Sequence, residues 1–228
     1  MTSLVVTIDG PAAAGKSSTA REVARRLGFL YLDTGALYRA LAVRVADASI
    51  AASDEEAVER LVLETEIDLV EQDGGCRILV GGADVTERLR TPAISELSSR
   101  LAELPAVRKR MLEIQRDLGR RHSLVAEGRD TGTVVFPSAP LKIFLSAELE
   151  ERAARRWREL VERGVPATLD EVRADIERRD RRDRERGVAP LRPADDSVRI
   201  DTTQLSLDEQ VELVLRAVRA RLPGVSVN

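Results

Sequence analysis

The stretch Gly10-Pro-Ala-Ala-Ala-Gly15-Lys16-Ser17 lies near the start of the chain, directly after the apolar run Leu4–Ile8. Its spacing, G-x-x-x-x-G-K-S, is that of a phosphate-binding loop. Glycines let consecutive backbone N–H groups turn towards a phosphate, Lys16 can reach the outer phosphates, and the Ser17 hydroxyl can ligate Mg²⁺. The amphipathic stretch Ser17–Leu27 follows, so the motif stands between a predicted strand and a predicted helix. This context predicts a nucleotide-binding α/β protein.

Five short apolar runs have strand character, and helical patterns separate most of them. They are Leu4–Ile8, Phe29–Leu32, Leu124–Ala126, Leu141–Leu145 and Val198–Ile200. This alternation predicts a five-stranded parallel sheet with helices on both faces. Ligands of such sheets bind beyond the carboxyl ends of the strands. Besides the phosphate loop, polar residues follow the runs there, at Asp33-Thr34-Gly35, Glu127–Asp130, Ser146 and Asp201–Thr203.

A long excursion separates the second run from the third. Within it, Ile67–Val70 and Arg77–Val80 flank Asp73-Gly74-Gly75, a pattern typical of a β-hairpin. We therefore predict a small antiparallel insertion over residues 65–90. Two helices are predicted to follow, over Pro92–Leu104 and Pro105–Leu118, the second with proline in its first turn.

The segment Arg178–Arg186 reads RRDRRDRER. A solvated helix face with opposite charges would explain it. Its helix is predicted to begin with a capping box, Thr168–Glu171, and to bury Val172 and Ile176. Steps of three and four residues continue that apolar face onto Arg179, Asp183 and Arg186. Inward charges are costly without charged partners, which a bound nucleotide would supply.

A second arginine cluster, within Arg152–Arg158, lies upstream on another predicted helix, and Gly164 with Pro166 separates the two helices. This helix–loop–helix suits a lid that closes over phosphates. Trp157 is predicted either to pack within the lid or to lie on the surface.

Composition excludes several classes of protein. The 228 residues carry a net charge of -3, which argues against a general nucleic-acid-binding surface. No apolar stretch reaches membrane-spanning length and the N-terminus has no signal pattern, so we expect a soluble cytoplasmic protein. Cys76 and His122 are the only residues of their types, which excludes an internal disulfide and a cysteine-rich metal site.

Over nearly its whole length the chain resembles the bacterial cytidylate kinases, nucleoside monophosphate kinases of the P-loop class. The motifs that carry the resemblance are the phosphate loop, YLDTGALYR, EGRDTGTVVFP, LKIFLSA and RDRRDRERGVAPL. The resemblance implies transfer of the γ-phosphoryl group of ATP to CMP or dCMP, with Mg²⁺. It also implies a core over residues 1–64 and 91–228, with acceptor-binding helices at about 91–119 and a lid at about 150–188.

Site residues follow from the resemblance position by position. The implied ATP-binding residues are Gly10, Pro11, Ala12, Ala13, Ala14, Gly15, Lys16, Ser17 and Ser18, with Ser17 as the metal ligand. The implied CMP-binding residues are Thr34, Tyr38, Arg39, Ser99, Arg108, Arg129, Asp130, Arg179, Asp183 and Arg186. Of these, Ser99, Arg108 and Asp130 correspond to the positions that read cytosine. Lys16, Arg129 and Arg186 are the expected catalytic residues.

Phosphoryl transfer to a monophosphate needs mostly positioning and charge stabilisation, because the acceptor oxygen is already a nucleophile. Glu127 is expected either to contact Mg²⁺-bound water or to cap the following turn. The candidates to stabilise the transferring group are the Arg152–Arg158 cluster and Arg182 or Arg184, and spacing does not choose among them. Cytosine recognition predicts a preference for CMP over UMP.

Three other functions remain in view. A kinase of a small hydroxylated metabolite would need a base such as Asp33, but the arginines favour a phosphorylated acceptor. A GTP-binding switch would need an internal asparagine, and Asn228 is the only asparagine. A nucleic-acid-binding module is disfavoured by the negative charge and by having only six aromatic residues. We expect a monomer.

Overall fold

A computed structural model describes residues 3–72 and 75–227 of the chain. The strands are β1 (Val5–Asp9), β2 (Leu30–Asp33), β3 (Ile67–Gln72), β4 (Gly75–Val80), β5 (Ala83–Asp84), β6 (Leu124–Gly128), β7 (Leu141–Ser146) and β8 (Val198–Asp201). The helices are α1 (Lys16–Leu27), α2 (Thr34–Asp47), α3 (Glu55–Glu64), α4 (Pro92–Leu101), α5 (Pro105–Arg121), α6 (Leu149–Glu162), α7 (Leu169–Glu185) and α8 (Leu207–Arg221). Two compact units result: Met1–Leu32 with Arg121–Asn228, and Asp33–Arg120.

The first unit is built on the five-stranded sheet, in the order β2-β6-β1-β7-β8. β1 pairs in parallel with β6 and β7, and β7 pairs in parallel with β8. The predicted α/β fold is therefore confirmed, and each strand lies within two residues of the apolar run that predicted it. In register, Asp9 pairs with Gly128 and Ser146 with Asp201, so the carboxyl ends of these strands meet at one edge.

The core of this unit explains why β1 is a continuous apolar run. All five of its residues are buried, because helices cover both faces of a parallel sheet. α1 and α8 pack their apolar stripes against it through residues such as Val23 and Leu215, which have no exposed surface. α1 ends at Gly28, whose φ of 64° is the left-handed conformation that favours glycine at a helix end.

The second unit contains the predicted antiparallel insertion. β3 pairs with β4 from Ile67 opposite Val80 to Gln72 opposite Gly75, which confirms the hairpin, while its predicted turn residues Asp73 and Gly74 lie outside the described residues. The two-residue strand β5 extends this sheet and was not predicted. α2 packs against β4 through small apolar side chains, including Ala40 and Val43.

Two helices follow the insertion as predicted, with shifted ends. α4 begins at Pro92 behind the Thr91 cap and ends at Leu101, three residues before the predicted Leu104. Pro105 disfavours helical backbone at Leu104, the residue before it, and the N–H groups of Glu103 and Leu104 donate to carbonyls three residues earlier instead of four. α5 begins at Pro105 and continues to Arg121, past the predicted Leu118.

The helix–loop–helix predicted to be a lid lies in the first unit, and we keep the name lid for α6, α7 and the loop between them. The predicted capping box is present: the Thr168 hydroxyl accepts from the Glu171 N–H, and the Glu171 carboxylate accepts from the Thr168 N–H. Ala153, Val172 and Ile176 form its small core. Trp157 donates from Nε1 to the Ala167 carbonyl at 3.0 Å, so it joins α6 to the loop before α7.

Candidate active site

The phosphate loop begins after β1 at Gly10, and any other residue at this position would displace the backbone around it. Gly10 has φ 154°, and a Cβ added there would lie 2.1 Å from the carbonyl oxygen of Leu145 in β7. Gly15, with φ 88°, forms the N-cap of α1. A Cβ on Gly15 would lie 2.6 Å from Oε1 of Gln210. Both glycines therefore permit close approach of the loop to its supports.

Two side chains from the C-terminal part of the chain support the phosphate loop and the start of α1. Thr202, fully buried after β8, has its hydroxyl 3.1 Å from the carbonyl oxygen of Ala14. Gln210 on α8 accepts from the hydroxyl of Thr19 at 2.9 Å through Oε1. Its Nε2 donates to the carbonyl of Leu205 at 3.0 Å. The sequence indicated Thr202 by its place after the fifth strand, whereas nothing in the pattern indicated Gln210.

Lys16 begins α1 and is buried, and its ammonium group donates to the Pro11 carbonyl at 2.7 Å. Burial, reinforced by repulsion from Arg129, lowers the pKa of Lys16 to about 7, although the carboxylates of Glu127 and Asp183 oppose the shift. The next residues, Ser17 and the expected ATP ligand Ser18, are exposed. The loop thus holds a lysine whose charge a bound anion would favour.

A bound triphosphate is expected to draw a proton onto Lys16. With a pKa of about 7, the free side chain is only about one tenth protonated at pH 8, and a neighbouring phosphate raises that pKa. We therefore predict net uptake of protons when ATP binds at pH 8, where the triphosphate itself is ionised. Calorimetric titration in two buffers of different ionisation enthalpy measures this uptake. No uptake at pH 8 would mean that ATP binding leaves the protonation of Lys16 unchanged, which would contradict the prediction.

Four of the predicted CMP-binding residues form one charged cluster in the first unit. Arg129 Nε lies 2.7 Å from Asp183 Oδ2, and Arg186 Nη2 lies 3.2 Å from Asp130 Oδ1. Arg186 Nη1 is also 3.9 Å from Asp183 Oδ1, which links the two pairs. Burial opposes the charge of Arg129, but attraction and a hydrogen bond from Asp183 outweigh it, and the pKa of Arg129 is raised.

The inward row predicted for α7 is only partly correct. Asp183 and Arg186 have side chains 16% and 9% exposed and belong to the cluster, whereas that of Arg179 is 28% exposed. Arg179 pairs with Asp175 of its own helix at 3.0 Å. The charged residue that α7 buries is Asp180, at 3%. Val172, Ile176 and Asp180 follow each other in steps of four, a spacing that fits the helical period as well as the predicted one.

Arginines of the lid cluster have partners within the protein. Arg152 is buried and pairs with Asp180 at 2.6 Å. Arg155 donates to the carbonyl of Thr202 at 2.5 Å, and Arg156 pairs with Glu159 at 2.6 Å on the same helix. The remaining candidates differ in exposure: Arg184 is exposed and Arg182 is half-buried. Arg152, one of the candidates to stabilise the transferring group, is therefore held by an ion pair in the interior of the lid.

Asp9, a buried carboxylate that no sequence motif indicated, organises the turn after β6. It accepts hydrogen bonds from the N–H and hydroxyl of Thr131 and from the N–H of Gly132 at 2.7 Å. Burial raises the pKa of Asp9, against the effect of these hydrogen bonds. The π-helical turn Thr131–Val135 directly follows Arg129 and Asp130, so Asp9 fixes the segment that carries them.

Glu127 lies near the end of β6 and is 3% exposed. Its Oε1 accepts from the Tyr31 hydroxyl at 2.5 Å. It is close enough to Lys16 and Arg129 to act on both electrostatically. The carboxylate thus belongs to the same buried charged region as the phosphate loop.

The remaining predicted residues lie in the second unit. Asp33 caps α2 by accepting from the Ala36 N–H at 2.9 Å, and it pairs with Arg39 at 2.6 Å. Thr34 begins α2 and is buried, while Tyr38 is half-buried one turn later. On the following helices are Ser99 of α4, half-buried, and Arg108 of α5, buried with Nη1 3.4 Å from the Ala102 carbonyl.

The described part of the chain contains no group of three or more His, Cys, Asp or Glu side chains that could hold a metal ion by themselves. Mg²⁺ in nucleotide enzymes is usually held by one or two protein oxygens, water and substrate phosphates. The exposed hydroxyl of Ser17 and the buried carboxylate of Glu127 fit that kind of site. Within residues 3–72 and 75–227, no helix combines the length and apolarity needed to cross a membrane.

Known proteins resemble this chain over almost its full length. The family profile described as cytidylate kinase matches residues 6–220. A cytidylate kinase of Methylococcus capsulatus is 49% identical over 217 residues, which cover 95% of this chain and 97% of that protein. One of Carboxydothermus hydrogenoformans is 45% identical over 213 residues, which cover 93% and 96%.

Among solved structures, an uncharacterized protein from Eubacterium ventriosum has a TM-score of 0.53 at 10% identity, with 96% of this chain and 99% of that chain covered. A likeness at that identity concerns the fold alone. The family profile and the relatives, by contrast, match both the sequence and its extent. The chain belongs to the cytidylate kinase family, whose members are nucleoside monophosphate kinases.

Proposed function

We propose that this protein transfers the γ-phosphoryl group of ATP to CMP or dCMP, and that the residues described above carry out the transfer. One observation supports this most directly. Lys16 of the phosphate loop is buried and Arg129 is half-buried, with 28% of its side chain exposed, and they lie close enough for Arg129 to contribute to the lowered pKa of Lys16. Two neighbouring basic groups repel each other when both are charged, so the arrangement favours an anionic ligand that contacts both.

The donor half of the reaction is assigned to the phosphate loop. Backbone N–H groups of the loop and the N-terminus of α1 would hold the ATP phosphates, with Lys16 at the outer ones. Mg²⁺, held by Ser17 and through water bound to Glu127, would neutralise charge between the phosphates. For Glu127 the alternative of capping the turn is disfavoured, because the N–H groups of Thr131 and Gly132 already donate to Asp9.

The acceptor half is assigned to the arginines. In the first unit, Arg129 and Arg186 keep guanidinium groups beside Asp183 and Asp130, so their positions are fixed before a substrate arrives. Such preorganised charges stabilise the phosphoryl group in transfer without reorganisation. In the second unit, Thr34 and Arg39 of α2 suit the phosphate of the monophosphate. In the first unit, Arg179 on α7 suits its ribose.

A small hydroxylated metabolite is a weaker candidate for the acceptor. Its kinase would use Asp33 as a base or positioning carboxylate for the hydroxyl group. Asp33 instead caps α2 through one oxygen and pairs with Arg39 through the other. These bonds engage the carboxylate, which supports an acceptor that needs no base.

Base recognition is assigned to Ser99, Arg108 and Asp130. Cytosine offers an amino donor to Asp130 or Ser99 and ring acceptors to Arg108, and uracil reverses two of these groups. We predict that Asp130→Ala lowers the ratio of kcat/KM for CMP over that for UMP about 5- to 160-fold, since a mismatched buried polar group costs about 1–3 kcal/mol.

The ratio is the informative quantity, because Asp130 also pairs with Arg186 and its loss will slow both substrates. Asp117→Ala removes a surface carboxylate of α5, whose side chain is 47% exposed, and serves as the matched control. An Asp130→Ala enzyme that kept the full preference for CMP would remove Asp130 from base recognition.

A coupled ADP-release assay tests the function as a whole. The purified protein is given Mg-ATP with CMP, dCMP, UMP, AMP or shikimate in parallel. Turnover mainly with CMP and dCMP is the expected result. Turnover with shikimate alone, or with none of these acceptors, would contradict the proposal. A monomeric state and a cytoplasmic location stay predictions, which light scattering and cell fractionation would check.

A further inference from the structure

A buried ion pair joins the two lid helices where they meet the phosphate loop. Arg152 of α6 and Asp180 of α7 are 4% and 3% exposed, and Nη1 of the arginine lies 2.6 Å from Oδ2 of the aspartate. Burying two charges costs more free energy than burying two apolar side chains of the same size. A pair kept in such a place calls for a role that apolar residues could not perform.

Both members of the pair bind the same residue of the loop. The N–H of Ala12 donates to Asp180 Oδ1 at 3.1 Å, and the carbonyl of Ala12 accepts from Arg152 Nη1 at 3.0 Å. Arg152 Nε also donates to the carbonyl of Ala147 at 2.9 Å, just before α6. The pair therefore uses both backbone groups of one loop residue, a task for which a donor and an acceptor are needed together.

The loop residue that follows is held in an unfavourable conformation. Ala13 has φ 59°, a left-handed conformation that disfavours residues with a Cβ. Ala12 and Ala13 pack against the lid core of Ala153, Val172 and Ile176. Such a conformation persists only where the surroundings impose it, and the bonds to Ala12 together with this packing do so.

We propose that Arg152 and Asp180 are positioning residues that hold the phosphate loop, through the backbone of Ala12, in the shape that receives the ATP phosphates. The inference rests on the proposed function, since it takes ATP as the ligand of the loop. In this proposal Arg152 supports the phosphate loop and does not contact the phosphoryl group in transfer. We also predict that disturbing the pair affects the ATP side of the reaction and spares the CMP side.

The sharpest test replaces both charges at once, as Arg152→Met with Asp180→Leu. Apolar pairs of similar volume commonly substitute for buried ion pairs without loss of stability, so this variant is expected to fold with a Tm near that of the wild type. It can no longer bind either backbone group of Ala12. We expect KM for ATP to rise about 10- to 100-fold, as for displaced binding groups, with KM for CMP changed less than about twofold.

Asp180→Asn is the second variant, and Glu150→Gln is its matched control. Glu150 pairs with Arg173 across the same two helices at 3.4 Å, but that pair is on the surface. The Asp180 variant should raise KM for ATP and weaken ATP binding measured by the fluorescence of Trp157, the only tryptophan. The Glu150 variant should change neither quantity.

Hydrogen exchange of the ligand-free protein separates this proposal from the proposed function. Peptides that cover Ala12–Ala14 should exchange faster in the double variant than in the wild type, whatever substrate the enzyme uses. Unchanged exchange together with unchanged KM for ATP would overturn the positioning role. Equal increases in KM for ATP and CMP, with a lowered Tm, would also overturn it in favour of a general structural role. If the wild type were inactive towards CMP but the double variant still exchanged faster than the wild type, only the proposed substrate would be contradicted.

Discussion

Lys16→Met is expected to lower kcat/KM for ATP about 10²- to 10³-fold, the effect of removing a preorganised charge from a transition state. The folded protein should tolerate the change. Burial lowers the pKa of Lys16 to about 7, which shows that the folded state disfavours its charged form. Methionine keeps the length and volume of the side chain and gives up one hydrogen bond, to the Pro11 carbonyl. A steady-state assay with a thermal melt measures both effects.

Lys109→Met is the matched control, because Lys109 is exposed on α5. It should leave both activity and Tm unchanged. Retention of more than about a tenth of wild-type kcat/KM by the Lys16 variant would show that its charge does not act on the transferring phosphates. A Tm lowered by several degrees would show instead that the lysine supports the fold. The proton uptake predicted at pH 8 should disappear in the same variant.

The strands of the parallel sheet could be predicted because they are buried on both faces. β1 lies in the middle of the sheet, and its apolar run reflects the absence of any exposed side. The run ended at Ile8 in the prediction, whereas the strand continues to Asp9. The polar side chain of Asp9 ended the apolar pattern although it is buried. Its hydrogen-bond partners, Thr131 and Gly132, lie more than a hundred residues away in sequence. No local pattern carries that information.

The lid shows the same division between local and long-range information. Its capping box joins Thr168 and Glu171, which are only three residues apart, so a local sequence pattern contains both partners. Asp180 was missed because its partners are distant in sequence: Arg152 by 28 residues and Ala12 by 168. Helical periodicity alone allowed either Arg179 or Asp180 on the buried face. The residues that face α7 in the folded protein, Arg152 and Ala12, decide between them.

The residues of the charged cluster were named from motifs rather than from periodicity. Arg129 and Asp130 were named as neighbours in one motif, and Asp183 and Arg186 in another. That the two motifs meet as a network of ion pairs is a result of the fold. The two-residue strand β5 illustrates the opposite case, since Ala83 and Asp84 are exposed and leave no apolar signal.

Gly10→Ala is expected to damage both activity and stability, through a contact that cannot relax. The new Cβ would lie 2.1 Å from the carbonyl oxygen of Leu145, and Leu145 is fixed in β7 by its pairing with Ile200 of β8. A backbone carbonyl, unlike a side chain, cannot change rotamer to relieve the contact. The phosphate loop must therefore shift. A shift of about 1 Å in a binding group costs about 100-fold in rate. Overpacking adds a loss of about 1–3 kcal/mol in the free energy of unfolding.

Gly28→Ala isolates the conformational part of this effect. Gly28 also has a left-handed backbone, with φ 64°, but a Cβ there meets no atom within 4 Å. It should cost about 1–2 kcal/mol of stability and leave kcat/KM unchanged. Urea unfolding and the ADP-release assay, applied to both variants, separate the two causes. If Gly10→Ala matched Gly28→Ala in both measurements, close packing of the loop against β7 would not be what requires glycine at the start of the phosphate loop.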